Sequence, residues 1–517
     1  MKRVLTFLLA STAIASAAFF TPLAGRRNVQ VSVAIVDEST GKPIPGVIRV
    51  RKEDTNFVVP GRLVSRGWGL DAKAAISEWY VLPGEATVEL PQEKLTVEAI
   101  CGIESDRVTA SVDLTKAESR EVRIRLPRFI DSRQNGWYAA NTHLHLRNLS
   151  REESDRYLRE IPAADRLDVL FISHLERAAD DKSYITNQYP TGRLRELESA
   201  GVLVSNGEEH RHNFGAQAEG YGHVMLLGIK ELVQPVSIGY GISKKHPDAP
   251  AIRAGLDTAH EQGGTAIWCH NNWGYEDVPN WLAGRLDAQN IFDGGSHGGY
   301  EDSFYRYLNA GLRVPFSTGT DWFMYDFSRC YARVEGKLTP ESWLAALKSG
   351  RTFITNGPLL ELRVNDSEPG STIDLDKPAE LRVQATARGR LDFGRLELIQ
   401  KGRVVESAPA RADNGHFEAK LDVSVTTSEP GWLAARTTTT AKNEYAQLLF
   451  AHTSAVYVTV AGHTISREED VRFLLGQVES ARSAIVAKAQ FDTDQQRDSV
   501  LKLYDQAAAD LRTRLRK

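Results

Sequence analysis

The sequence has almost no cysteine: Cys101, Cys269 and Cys330 are the three in 517 residues. An odd, sparse set is no disulfide framework, so stability must come from buried cores. A dominant charge sign is missing too, the formal balance being −4. That removes the electrostatic reason to expect nucleic acid or an acidic polymer as partner. Beyond the N-terminus no apolar run is long enough to span a bilayer. Internal repeats and low-complexity tracts are also lacking. What remains is an ordinary globular chain whose length implies roughly three domains.

The N-terminus carries its own pattern. "MKRVLTFLLASTAIASAAFF" has two basic residues, an apolar run and a small-x-small site at Ala15-Ser16-Ala17. This predicts a secretory leader over 1–24, its apolar run being short for a membrane anchor. The expected mature protein is periplasmic or secreted, with no membrane association after cleavage.

Across 28–128, runs such as "VQVSVAIVDESTGKPIPGVIRVRKED" alternate apolar and polar residues around Gly/Pro turns, which predicts a β-sandwich. The texture changes over 136–357. There "LDVLFISH", "GVLVSNGEE", "GHVMLLGI", "GGTAIWCH", "NIFDGG" and "LRVPFSTGTD" alternate with helix-like stretches at 150–161 and 251–264. Continuous apolar strands separated by helices predict a parallel sheet covered by helices, an α/β barrel or a doubly wound fold. "LTPESWLAALKSG" reads as its last helix, with Thr339 as N-cap, Pro340 in the first turn and Gly350 beyond the end. Strand patterns return over 358–461 as a second β-sandwich. The segment 465–517 reads as a helical hairpin, with capping boxes at Ser466-x-x-Glu469 and Thr493-x-x-Gln496.

Ten of the thirteen histidines fall between 143 and 297, inside the α/β segment. His143 and His145 are i and i+2 on a predicted strand, so both project from one face. His174, Glu208 with Glu209, His270 and Asp321 end apolar runs, and His223 opens one. Strand tips form the rim where α/β barrels assemble active sites, and imidazole with carboxylate suits zinc, manganese or iron(II). Asn271 and Trp273 follow His270 on the same rim and are expected to line a pocket. Cys269, by strand alternation, should point away from His270 into the core.

The motifs "THLH", a second strand ending in His, "NGEE", "GH", "CHN" and "GTD", in that order, resemble the PHP (polymerase and histidinol phosphatase) metal-dependent hydrolases. Together with "LTPESWLAALKSGRTFITNGPLLELRVNDSEPG" (338–370) they are similar to the carbamate-hydrolase-like CehA/McbA branch, over about 136–460. The resemblance implies a multidomain α/β plus β protein. A distorted (β/α)7 PHP-type barrel would be flanked by the two β-sandwiches and the helical tail. It also implies divalent metal: His143 and His145 on one ion, His174 in the cluster, and Glu209 as a bridge with Glu208 the second choice. His223, His270 and Asp321 would complete the set. Three departures stand out. Ser173 replaces the usual acid before the second-strand His, Phe323 replaces the His after the late Asp, and Asn141-Thr142 replaces an Asp near the first pair. They reduce the expectation to one or two ions of Zn, Mn or Fe, with His210, His212 and His297 as candidate substitutes.

The chemistry expected is hydrolysis of an ester, carbamate or phosphoester in a small-molecule substrate by metal-activated water. Asp321 or Glu209 would orient or deprotonate that water. Arg329 either holds an anionic substrate group or oxyanion or makes an ordinary salt bridge. "GGSHG" (294–298) matches a nucleophile elbow around Ser296. However, the downstream His416, His452 and His463 lie in or beyond the second sandwich, which rules out a triad in the usual order. An amidohydrolase-type site would need a mid-barrel Lys where "GEE" offers Glu. The non-enzymatic alternative, which Ser173 and Phe323 favour, is a secreted binding or structural protein on a degenerate barrel. The flanking modules are read as bracing, with sugar binding and homo-oligomerisation left open.

Overall fold

The computed structural model describes residues 28–52, 56–116, 121–176, 184–215, 219–238, 247–270, 275–295, 299–301 and 304–516. The expected leader, and Asn271, Trp273, Ser296 and His297, lie outside the described residues.

Period-two alternation builds the first part of the chain. Glu121–Leu126 turns Val122, Ile124 and Leu126 inward and its charged residues outward. It runs parallel to Asn28–Asp37, whose other edge pairs antiparallel with Glu85–Pro91. A second sheet is built around Gly46–Lys52 and Lys94–Ile100. Val31, Val33 and Ile35 of the first sheet share one apolar cluster with Ile48, Val50 and Val97 of the second.

The whole is a mixed α/β structure with many strands and, among the described residues, seven α-helices. In its centre Trp137–Asn141, Val169–His174 and Leu203–Phe214 are parallel neighbours. The parallel expectation then fails. Glu219–Leu227 folds back antiparallel on Leu203–Phe214, and Thr265–Trp268 is antiparallel to it in turn. The cause is connection length. Four residues separate Phe214 from Glu219, whereas a parallel crossover needs a dozen or more. Ala288–Asn290 and Phe316–Ser317 then continue in parallel. On the other side, Arg329–Arg333 pairs antiparallel with Trp137–Asn141, then with Thr352–Thr355, which pairs with Ala451–Thr453. The C-terminal strands thus extend the central ladder. A second sheet, Leu359–Val364, Ala379–Gly389, His416–Thr427 and Arg411–Asp413, lies beside them.

The helices are α1 (Arg151–Ala164), α2 (Ile252–Glu261), α3 (Asp277–Leu282), α4 (Phe304–Asn309), α5 (Pro340–Lys348), α6 (Glu468–Lys488) and α7 (Asp494–Arg514). Helix α5 is capped as its sequence predicts: Thr339 accepts the Ser342 N–H at 3.1 Å and Gly350 has φ +74°. Thr493 likewise accepts the Gln496 N–H, at 3.2 Å. The Ser466 box does not form. Arg467 takes the N-cap position of α6 without a side-chain cap, and its own N–H donates to the Asn309 carbonyl at 2.8 Å. Asp470 of α6 then receives Arg306 and Asn309 of α4 at 3.0 and 3.1 Å. The tail is therefore docked on the central region, with Val471, Leu474, Tyr504 and Leu511 in its core cluster.

Candidate metal centre

His143 and His145 are both fully buried, and both have their Nδ1 atoms committed. His145 Nδ1–H donates to the Ser173 carbonyl at 3.0 Å, and His143 Nδ1–H to Asp293 Oδ2 at 2.7 Å. A carbonyl only accepts, so the His145 proton sits on Nδ1 and its Nε2 presents a lone pair. An ionised carboxylate imposes the same tautomer on His143. The two Nε2 atoms stand 3.0 Å apart. Glu209 Oε2 lies 2.8 Å from His145 Nε2 and 3.5 Å from His143 Nε2, and Asp321 Oδ1 lies 3.8 and 3.4 Å from the same pair. Asp321 Oδ1 is buried and has no hydrogen-bond partner. Ligand atoms at zinc distances in a tetrahedron are about 3.3 Å apart, in the middle of the observed span. Four acceptors converging without a donor repel one another; a cation at their centre resolves the conflict. These residues fit a metal ion.

Burial disfavours an ionised Glu209, yet the close His143, His145 and His223 side chains outweigh it and hold the carboxyl well below its usual range. Burial also opposes charge on His143, but Asp293 and Asp321 raise it well above the ordinary imidazole value. Asp321 is raised, first by burial and then by the neighbouring Glu209 charge, against the pull of His143.

Glu209 also reaches a second group. Its Oε1 lies 3.2 Å from His223 Nδ1, and both residues gather with His270. Burial pushes His223 down to about 4, leaving the neutral imidazole that a metal requires. The antiparallel turn of its strand explains its arrival here. Arg211 pairs with His223 and Glu209 with Met225, so Glu209 and His223 are diagonal neighbours on one face. His223 and His270 are partly exposed, unlike the first group, and so lie toward the opening of the site.

Several sequence expectations need correction. His174 pairs in register with Glu208 and not with Glu209, which puts it on the opposite face of the sheet. Its Nε2 lies 3.5 Å from Glu176 Oε1, and it joins none of the ligand groups found among the described residues. Glu208 shares that far face. It accepts the Val233 N–H and stands 2.7 Å from His210 Nδ1, while burial pushes its carboxyl up to about 8. His212 Nδ1 donates to the Pro250 carbonyl at 3.0 Å. Neither His210 nor His212 substitutes for a ligand. Arg329 is buried and donates to the Phe327 and Asp165 carbonyls, both at 2.8 Å, so it is not aimed at the cluster. Phe323 packs on Tyr157 inside the core.

Cys269 is buried as expected, but its thiol faces His143 and Asp293. The alternation rule fails because His270 has φ +62°, outside the extended region. Burial pushes the thiol up to about 12, so it stays protonated. Asp293 was missed altogether. It follows Phe292, at φ +57°, just beyond Ala288–Asn290, and is fully buried. "NIFDGG" marked it as another strand tip with a carboxylate, which was the available signal. Gly294 after it has φ +64°, and a Cβ there would meet Asp321 Oδ2 at 3.0 Å, so a side chain there would be strained and would crowd the cluster.

Asp293 orients a metal-type histidine from behind. Replacing Asp293 with Asn is expected to weaken metal binding about 10- to 100-fold with the fold retained. Competition with a chromophoric chelator measures this, and parental affinity in the variant would remove the role.

Groups of buried His, Glu, Asp and Cys in this chain can therefore hold a metal ion. No protein-family model matches the chain, and no curated protein matches it.

Proposed function

We propose that the chain is an exported metal-dependent hydrolase of PHP type, cleaving an ester, carbamate or phosphoester of a small molecule. On this proposal the central strands and helices are the distorted (β/α)7 barrel, and the flanking sheets are two β-sandwiches. The observation that carries it is the convergence of His143 Nε2, His145 Nε2, Glu209 Oε2 and Asp321 Oδ1 within 2.8–3.8 Å contacts. These four would hold one ion of Zn, Mn or Fe, and Glu209 Oε1 with His223 and His270 a second. A divalent ion supplies a hydroxide nucleophile near neutral pH and polarises a carbonyl or phosphoryl oxygen.

The protein's own groups do the rest. Asp293 and the Ser173 carbonyl fix the tautomers of His143 and His145. Asp321, whose carboxyl is raised by burial, would accept a proton at the oxygen that does not hold the ion. His223 and His270, partly exposed, would bring the second ion to the entrance of the site.

The alternative is an exported binding protein on a degenerate barrel. The displaced His174 and the core-facing Phe323 favour it. Metal analysis of protein purified without chelator, followed by assays on 4-nitrophenyl acetate, phosphate and N-methylcarbamate, tests the proposal. Bound metal is expected, with hydrolysis of at least one substrate abolished by chelator and restored by zinc or manganese. No metal after reconstitution overturns the hydrolase. Bound metal without hydrolysis of any class favours the binding protein.

A further inference from the structure

Two residues beyond His145, Arg147 is exposed, and its guanidinium carbon stands 5.1 Å from the centre of the Trp322 ring. Trp322 is held from behind. Its ring lies 5.1 Å from that of His145 and stacks on Tyr184 at 5.3 Å and 29°. The backbone ties the same residues together, with His145 opposite Trp322 in parallel register and Arg147 bridged to Tyr184. A line of contacts thus runs inward from solvent: Arg147, Trp322, His145. Two residues of extended chain span about 7 Å, so the Arg147 backbone is a close neighbour of the cluster.

A guanidinium stacked on an indole uses its π face and leaves its in-plane N–H fork free. Among the described residues the Arg147 side chain has no carboxylate partner. Surface arginines usually pair or wander; this one is seated on a platform that is pinned to a metal-type histidine. The fork matches one kind of partner, a planar or tetrahedral oxyanion taken by two parallel hydrogen bonds. We infer that Arg147, seated on Trp322, is a specificity determinant that binds a carboxylate or phosphate group of the substrate beside the metal cluster. The inference rests on the hydrolase function proposed above, and it narrows the substrate from any ester to an anionic one.

The test is calorimetric titration of the full chain as purified, parent and Arg147→Met, with phenylphosphonate, benzoate and neutral benzamide. Both anions are expected to bind the parent, and the variant to bind them about 10- to 100-fold more weakly. Benzamide affinity should not change. The tighter anion tells phosphate from carboxylate. Since Arg147 is exposed, the thermal midpoint should stay at the parental value, which excludes a folding defect. In the paired kinetics, KM should rise for 4-nitrophenyl phosphate or mono-4-nitrophenyl succinate and hold for 4-nitrophenyl acetate. Anion affinity equal in parent and variant, or absent from the parent, overturns the inference. Weakened anion binding with no hydrolysis of any ester supports Arg147 and sinks the hydrolase instead.

Discussion

Replacing Glu209 with glutamine is expected to strip the protein of bound metal, from stoichiometric content to under about a tenth, because a buried charge set loses its central member. Glu209 supplies Oε2 to the His143/His145/Asp321 group and Oε1 to the His223/His270 group. An amide keeps one acceptor but loses the charge, and turns a donor toward imidazole lone pairs. Losing one partner of a buried ionic set costs about 3–5 kcal/mol, or more than a hundredfold in affinity. The control is the adjacent carboxyl. Glu208 is pushed up to about 8 by burial, so it is largely neutral at pH 7 and an amide is its close match. Glu208→Gln should keep its metal. Acid acts in the same direction as Glu209→Gln. Asp293 and Asp321 raise His143 well above the ordinary value against the effect of burial, so protons compete for its Nε2 and affinity should fall with pH. Plasma emission analysis after desalting reads all three. Full metal in Glu209→Gln would mean that the four-atom cluster is not the binding site.

The contrast between Glu208 and Glu209 shows what the sequence made legible. Period-two spacing was enough for His143 and His145, because only one face of an extended segment can hold both. Strand-tip position was enough for Glu209, His270 and Asp321. Position along the chain could not say which face a tip residue takes. That is set by register between strands, and His174 falls opposite Glu208. Nor could periodicity foresee the left-handed residues. Phe292, His270, Asp321 and Phe323 all have φ between +54° and +62°; His270 breaks the alternation by which Cys269 should point away from the site, and Phe292 directly precedes Asp293. Such backbone is held by its surroundings, which a linear pattern does not contain. Arg329 lies close to Asp321 in sequence, but its strand runs antiparallel to Trp137–Asn141 and its guanidinium goes to the Asp165 carbonyl. The antiparallel return of Glu219–Leu227 follows from a four-residue connection that is visible in the sequence.

The surroundings that hold the Asp321 loop come partly from a turn segment of the N-terminal region, and this supports the second large prediction. Arg66 is fully buried and pairs with the fully buried Asp165 at the end of α1, at 3.0 and 2.5 Å. The same guanidinium donates to the carbonyls of Met324 and Asp326, three and five residues past Asp321. Next to it Gly69, at φ +85°, lets the Phe323 ring approach so closely that a Cβ would stand 2.1 Å from it. Burial works against the Arg66 charge, but Asp165 more than offsets it and its pKa is raised. Arg66→Met removes the cation and leaves Asp165 buried without its partner, along with two backbone carbonyls. The expected loss is about 3–5 kcal/mol of stability, with metal affinity falling in parallel as the loop carrying Asp321 loosens. Arg66→Met/Asp165→Leu removes the stranded charge, and apolar replacements of whole buried pairs are often neutral. It should therefore recover most of the stability while recovering little of the metal affinity, since the carbonyls of the loop remain unheld. Denaturation curves of the parent, the single and the double variant, each with a chelator competition, separate the two effects. A single variant within about 1 kcal/mol of the parent, the ordinary range of mutational effects, would show that the pair does not brace the site.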